Sequence, residues 1–305
     1  MDVGPSFWCC LAVTSANLRG RFWITSIAQA AMLVVAILVY RETYAPIILE
    51  RRARLLRKNT GLHYHAASST QGQGISLLQY LSRAMTRPIR LMLFHPIIQI
   101  TMALQALNYG TLYIVLASFS SIYIDLYHQT PTLSSLHYLA IALGELLGSQ
   151  IAAWVMDWSY TVLQSRYHRS GIPEFRIPMI FPFALLTPVG ILLYGWAVHY
   201  HLHWAIVDTG VFIYAVMSQA TGQALQGYAI DAYAEHVSSA QAATQFWSSM
   251  SAFAFPLFAP TLFRVLGYGW GNSTLAFVYL AIGVPAPAVL WVWGPRLRAK
   301  AGSSN

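Results

Sequence analysis

Cysteine is all but missing from these 305 residues. Cys9 and Cys10 are the only two, and being adjacent they can build neither a disulfide framework nor a thiolate zinc site. Charge is scarce as well: 9% of residues are Asp, Glu, Lys or Arg, against roughly 25% in soluble domains. With 56% hydrophobic residues and a mean hydropathy of +0.50, that scarcity excludes both a water-soluble globule and a disordered chain. No GxSxG, HExxH, Walker or GxGxxG pattern occurs in its required context, and no His, Asp or Glu cluster has ligand spacing. An enzyme is therefore not expected, and no cofactor is implied. His63 and His65, like His199, His201 and His203, alternate within short loops that offer no further ligands, so no metal is assigned.

What the sequence does have is apolar length. A bilayer core about 30 Å thick needs ~20 apolar residues per helix. Seven windows free of Lys and Arg meet or approach that length: 22–40, 91–117, 136–156, 178–198, 205–230, 244–263 and 273–293. Glu145 and Asp208 are the only charged residues inside them. The expectation is an all-α, multi-pass membrane protein of about seven transmembrane helices, with the lipid bilayer as its solvent. The formal charge of +8 is then a matter of topology and implies no nucleic-acid partner. Counted by loop, fifteen Lys and Arg fall on one side and only Arg19, Arg21 and Arg264 on the other. The basic side is assigned to the cytoplasm.

This divides the chain into an N-terminal remnant (1–21) placed outside, a first span (22–40), a basic cytoplasmic loop (41–90), a six-helix body (91–293) and a cytoplasmic tail (294–305). The start of the chain is expected to be incomplete. Within the basic loop, 47–58 alternates apolar and basic residues and suggests an interfacial helix. The Ser-, Gly- and Gln-rich stretch 66–76 suggests a flexible linker.

Polar side chains on membrane helices face one another or line a path, so their spacing is informative. Thr101, Gln105 and Asn108 recur at i, i+4 and i+7, with Tyr109 and Tyr113 beside them. Gln219, Gln223 and Gln226 repeat the spacing on a second helix. Together with Trp247 these are the candidates for lining an amphiphilic substrate cavity, the other reading being hydrogen bonds between helices. Glu145 is the candidate proton carrier. Gly144, Gly148 and Ala152 form a small-residue stripe suited to close helix packing. Asn272, Ser273 and Thr274 form a glycosylation sequon on the outer side.

Several motifs together carry a family resemblance: RETYAP at 41–46 with the Arg-rich stretch after it, PEFRIP at 173–178, IDAY at 230–233, FPLFAP at 255–260, GYGWGNS at 267–273 and GVPAP at 283–287. The chain resembles the C-terminal portion, helices six to twelve, of fungal multidrug and toxin exporters of the major facilitator superfamily. The resemblance implies half of a twelve-helix fold that exports amphiphilic drugs or secondary metabolites across the plasma membrane in exchange for protons. It also implies gating through a cytoplasmic loop, for which Gly148, Asp157, Arg166 and Arg169 are the candidates. The basic residues expected after Asp157 are replaced by Trp158, Ser159 and Tyr160, and Ile172 stands where an arginine usually precedes the Pro-Glu-Phe run. The alternative expectation is a non-transporting fragment or half-protein that acts only by pairing with a second membrane chain.

Overall fold

A computed structural model describes residues 18–40, 45–61, 77–167 and 172–302. Among them every regular element is helical and there is no strand. The chain divides into two units, the boundary falling between residues 86 and 87. In the first, α1 spans Leu18–Val39 and α2 Ala45–Thr60, the latter covering the expected amphipathic stretch. α1 is 22 residues long and covers the first apolar window from residue 22 up to Val39. α3 (Leu77–Phe94) crosses the unit boundary. The 66–76 stretch and Arg169 lie outside the described residues.

The second unit holds α4 (Pro96–Ser121, continued by a π-turn, Ile122–Leu126), α5 (Pro131–Tyr167), a 3₁₀ segment (Pro173–Met179), α6 (Ile180–His199), α7 (Trp204–Ala232), α8 (Val237–Gly283) and α9 (Pro285–Gly302). Proline opens α4 at its first position, where the missing N–H would have had no partner. α8 is two limbs, 237–266 and 268–283, joined at Gly267, whose φ of 71° and ψ of 172° lie outside any helix and suit glycine alone. Four stretches are long and apolar enough to cross a membrane: Pro96–Leu126, Pro131–Tyr167, Pro173–His199 and the bent Val237–Arg298. The bend lets the last supply the two windows 244–263 and 273–293. α7 falls short of that apolarity because Asp208 and three glutamines dilute it, yet much of it is buried among its neighbours.

Glycines set how closely α7 is held. A Cβ on Gly190 of α6 would strike the backbone of Tyr214, and one on Gly210 of α7 would meet the Tyr194 nitrogen at 2.6 Å. On the other side of α7, Gly144 and Gly148 of α5 face Ala215 and Val216. The small-residue stripe of α5 is thus a packing surface, and Gly148 sits in it as a spacer. One core cluster joins Ile114, Phe119, Tyr123, Ile191, Tyr194 and Tyr214, and a second joins Ile97, Leu104, Ile177, Leu225, Tyr228 and Leu290. The outer surface is apolar: Trp154 and Val265 are each 74% exposed and Leu257 68%. Water would penalise such a surface; lipid does not.

His95, between α3 and α4, is buried, and Nδ1 lies 3.3 Å from the Tyr233 hydroxyl. Burial pushes its imidazole below the ordinary range, and the positive charges of Arg90 and His236 act in the same direction. The unfolded chain therefore takes up a proton that the folded chain resists, so stability falls as pH drops below about 6.5. Thermal unfolding in detergent at pH 7.5 and pH 5.5 is expected to show a smaller acid-induced drop for His95→Asn than for the wild type.

Candidate substrate cavity

α4, α7 and α8 line a partly open pocket of about 40 Å³, in which Gln226 and Gln245 are exposed. α4 contributes Thr101, Gln105 and Tyr109; α7 contributes Leu225, Gln226 and Ala229. From α8 come Gln241, Thr244, Gln245 and Ser248, a stripe at i, i+3, i+4 and i+7. None of these side chains is charged. The hydroxyls are committed to their own helices: Thr101 Oγ1 donates to Ile98 O at 2.9 Å, Thr244 Oγ1 to Gln241 O at 3.0 Å and Ser248 Oγ to Thr244 O at 2.9 Å. Gln226 Nε2 donates to Gln241 Oε1 at 3.3 Å, linking α7 to α8. Gln105 Oε1 and Gln241 Nε2 are buried with no hydrogen-bond partner in the protein.

One turn along α4, Asn108 forms a buried knot. Its Oδ1 accepts from Tyr279 Oη at 2.7 Å and Ser218 Oγ at 3.2 Å, and its carbonyl accepts from Tyr214 Oη at 3.4 Å. Three helices are tied through one amide, while Nδ2 has no partner in the protein.

The structure thus brings Gln105, Tyr109 and Gln226 to one cavity and leaves the remaining candidates elsewhere. Asn108 adjoins it as a packing node. Tyr113 is exposed, Gln219 packs beside Gly148, and Gln223 does not line the cavity. Trp247 is exposed and its Nε1 approaches Met92 Sδ at 2.9 Å. Glu145 is half-buried on α5 and acts electrostatically on Tyr214, away from the cavity lining. Asp157 and Arg166 are exposed near the end of α5. The sequon reading is corrected: Asn272 is fully buried, its Nδ2 donates to Tyr268 O at 2.9 Å, and its Cβ fills the space that Gly195 leaves open. An asparagine so enclosed offers no acceptor nitrogen to a glycosyltransferase.

Sequence spacing did not reveal the polar pairs at the two ends of the bundle. At the basic end Arg176 Nε bonds Asp231 Oδ2 at 2.6 Å, and Arg298 pairs with buried Glu174 at 3.4 Å. PEFRIP and IDAY contain three of these four residues, so motif recognition could have flagged them. At the opposite end Asp208 accepts from Tyr123 Oη at 2.6 Å and bonds His137 Nδ1 at 2.7 Å, while His137 Nε2 reaches Gln129 Oε1 at 2.9 Å. Here Asp208, charged within an apolar window, was the visible signal and its partners were not. Nearby, burial and then the Asp208 charge raise the Tyr127 phenol above its ordinary range, keeping it a donor to Leu202 O at 2.6 Å. A larger groove of about 310 Å³ lies between α4 and α8 beside Pro256, Pro260 and Arg264. Among the described residues no three His, Cys, Asp or Glu side chains come together as a metal site would require.

No family model matches the chain. Curated relatives do match. The chain is 46% identical over 96% of its length to a protein described as probable efflux pump mfs2 of Aspergillus flavus, covering 69% of that protein. It is 35% identical over 95% of its length to the MFS-type transporter oryF of Aspergillus oryzae, covering 60% of it. To efflux pump vrtL of Penicillium aethiopicum it is 34% identical over 92% of its length, covering 55%. The chain thus spans between a little over half and about two thirds of these relatives. Apolar helical bundle and relatives alike define a multi-pass membrane protein of the transporter class. The chain belongs to the major facilitator superfamily.

Proposed function

We propose that the chain is the cavity-bearing part of a proton-coupled exporter that moves an amphiphilic small molecule of the secondary-metabolite kind out across the plasma membrane. The observation that carries this reading is the uncharged, hydrogen-bonding pocket between α4, α7 and α8 in an otherwise apolar bundle. Two relatives bear the printed description of efflux pumps, which favours export over uptake. Glu145, the only acid in the middle of an apolar span, is the residue assigned to the coupling proton.

Alternating access requires two halves rocking about a central site. A second reading follows from the length comparison, in which the chain covers 69% of one relative and 55% of another. In that reading the chain works only alongside the remaining helices, whether in one polypeptide or supplied by a second membrane chain.

The test is efflux of Nile red, an uncharged amphiphile, from a drug-hypersensitive yeast expressing the chain alone, or with the part of the A. flavus relative that it does not span. The expected result is energy-dependent export that a protonophore collapses and Glu145→Gln removes. Export confined to the co-expressing cells supports the second reading. Export by neither strain contradicts both, and unchanged pH dependence in Glu145→Gln takes that residue out of the mechanism.

A further inference from the structure

The cavity's chemistry specifies more than an amphiphile. Three amides on two helices, Gln105 and Asn108 of α4 and Gln241 of α8, each keep one buried polar atom without a partner in the protein. Polar atoms buried in this way are costly unless something bonds them, and the neighbouring hydroxyls cannot serve because they bond their own helices. Gly222 of α7 faces two of these amides. A Cβ there would lie 3.5 Å from Gln105 Nε2 and 3.9 Å from Asn108 Nδ2, which is ordinary contact. Gly190 and Gly210 are glycine because a backbone presses on them; Gly222 is under no such pressure and sets the α7 backbone, with no side chain between, against the Gln105 and Asn108 amides.

We infer that this pocket is a head-group seat selective for an uncharged group that both donates and accepts hydrogen bonds, such as a carboxamide, lactam or hydroxy-carbonyl. The inference rests on the exporter reading above and narrows its substrate class. A primary or cyclic amide matches what the pocket lacks, since amide oxygens and amide nitrogens are both left over. The volume of about 40 Å³ admits a group of a few heavy atoms and no more, so the apolar body of the substrate lies outside the seat. With no charged side chain in the lining, a carboxylate or an ammonium would enter desolvated and without a counter-ion.

The full chain in lipid nanodiscs, titrated with three probes sharing a pyrene-butyl tail, tests this. The heads are a primary amide, a carboxylate and a trimethylammonium, and energy transfer from tryptophan to pyrene reports binding over that of protein-free nanodiscs. The expected result is that the amide binds roughly tenfold tighter than either ion, as for a buried polar group left unpaired. Gln105→Leu and Gln241→Leu should each erase that preference while retaining tail binding. Gly222→Ala should keep the preference and Gly222→Leu, which crowds the Gln105 and Asn108 amides, should lose it. Equal binding of the three heads, a preference for an ion, or a preference that survives the Gln105→Leu/Gln241→Leu double variant overturns the inference and leaves the exporter reading standing. Binding of none of the three overturns both.

Discussion

Replacing Gly190 or Gly210 by valine is expected to lower the stability of the bundle by about 3 kcal/mol, the upper range for overpacking a tight interface. At about 2.1 cal/mol/K of unfolding entropy per residue, that corresponds to ~5 °C in melting temperature for a chain of 305 residues. The reason is reciprocity. Gly190 of α6 abuts the backbone of Tyr214 on α7, and Gly210 of α7 abuts that of Tyr194 on α6. A side chain at either position meets main chain, which cannot rotate aside as a flexible side chain can, so the two helices must separate along their length. Separation also disturbs the core at that crossing, where Tyr194 and Tyr214 are each 1% exposed. Gly222→Ala is the matched control, because its added Cβ finds only ordinary contacts. Thermal unfolding of purified variants in detergent measures the difference. Equal losses at Gly210 and Gly222 would mean that glycine acts there through chain entropy and not through helix approach.

Asn108→Leu is expected to cost about 2 kcal/mol, since it strands hydroxyls that a buried acceptor had satisfied. Tyr279 and Ser218 both donate to Oδ1. Leucine approximates the volume but accepts nothing, and two hydroxyls are left in an apolar interior. The loss should be shared with Tyr279. A double-mutant cycle with Tyr279→Phe is expected to give a coupling of about 1 kcal/mol, within the range for hydrogen bonds between membrane helices. Additive losses would show that the 2.7 Å contact contributes nothing of its own. Asn108→Leu is also expected to lower probe binding in the pocket, through displacement of the adjoining Gln105.

The helical fold was legible because a membrane leaves a chain few options: apolar stretches of the right length must satisfy their backbone internally. The windows beginning at 136, 178 and 205 each fall mainly on one helix of the second unit, whereas the window beginning at 91 opens on the end of α3 before it continues as α4. The first window falls on α1, which runs through it to Val39. The last two windows fall on either side of Gly267, the first on one limb of α8 and the second on the other limb and α9, and GYGWGNS marked that break only through the glycine that permits φ of 71°.

The cavity was legible by half. The α4 stripe placed Thr101 and Gln105 correctly on one face, but spacing alone states which residues share a face and not what opposes them. Asn108 shares that face, yet it meets Tyr279 and Ser218 and becomes a packing node. Of the three α7 glutamines only Gln226 reaches the cavity; Gln219 is drawn toward the glycine stripe of α5. The opposing wall, Gln241 to Ser248, has the same periodicity and was passed over because it begins in what sequence assigns to a loop. Arg176 with Asp231 and His137 with Asp208 are separated by 55 and 71 residues, distances over which sequence spacing carries no information.

Everything in the account depends on this bundle crossing a bilayer with its basic end on one side, and labelling of single cysteines tests that most directly. In a background with Cys9 and Cys10 changed to serine, Arg166→Cys and His201→Cys are treated in intact cells with a membrane-impermeant maleimide. Both native side chains are exposed, one near the end of α5 and the other between α6 and α7. The prediction is that position 201 labels from outside, while position 166 labels only after the cells are opened. Labelling of both from outside, or release of the chain from membranes by alkaline carbonate, would contradict it.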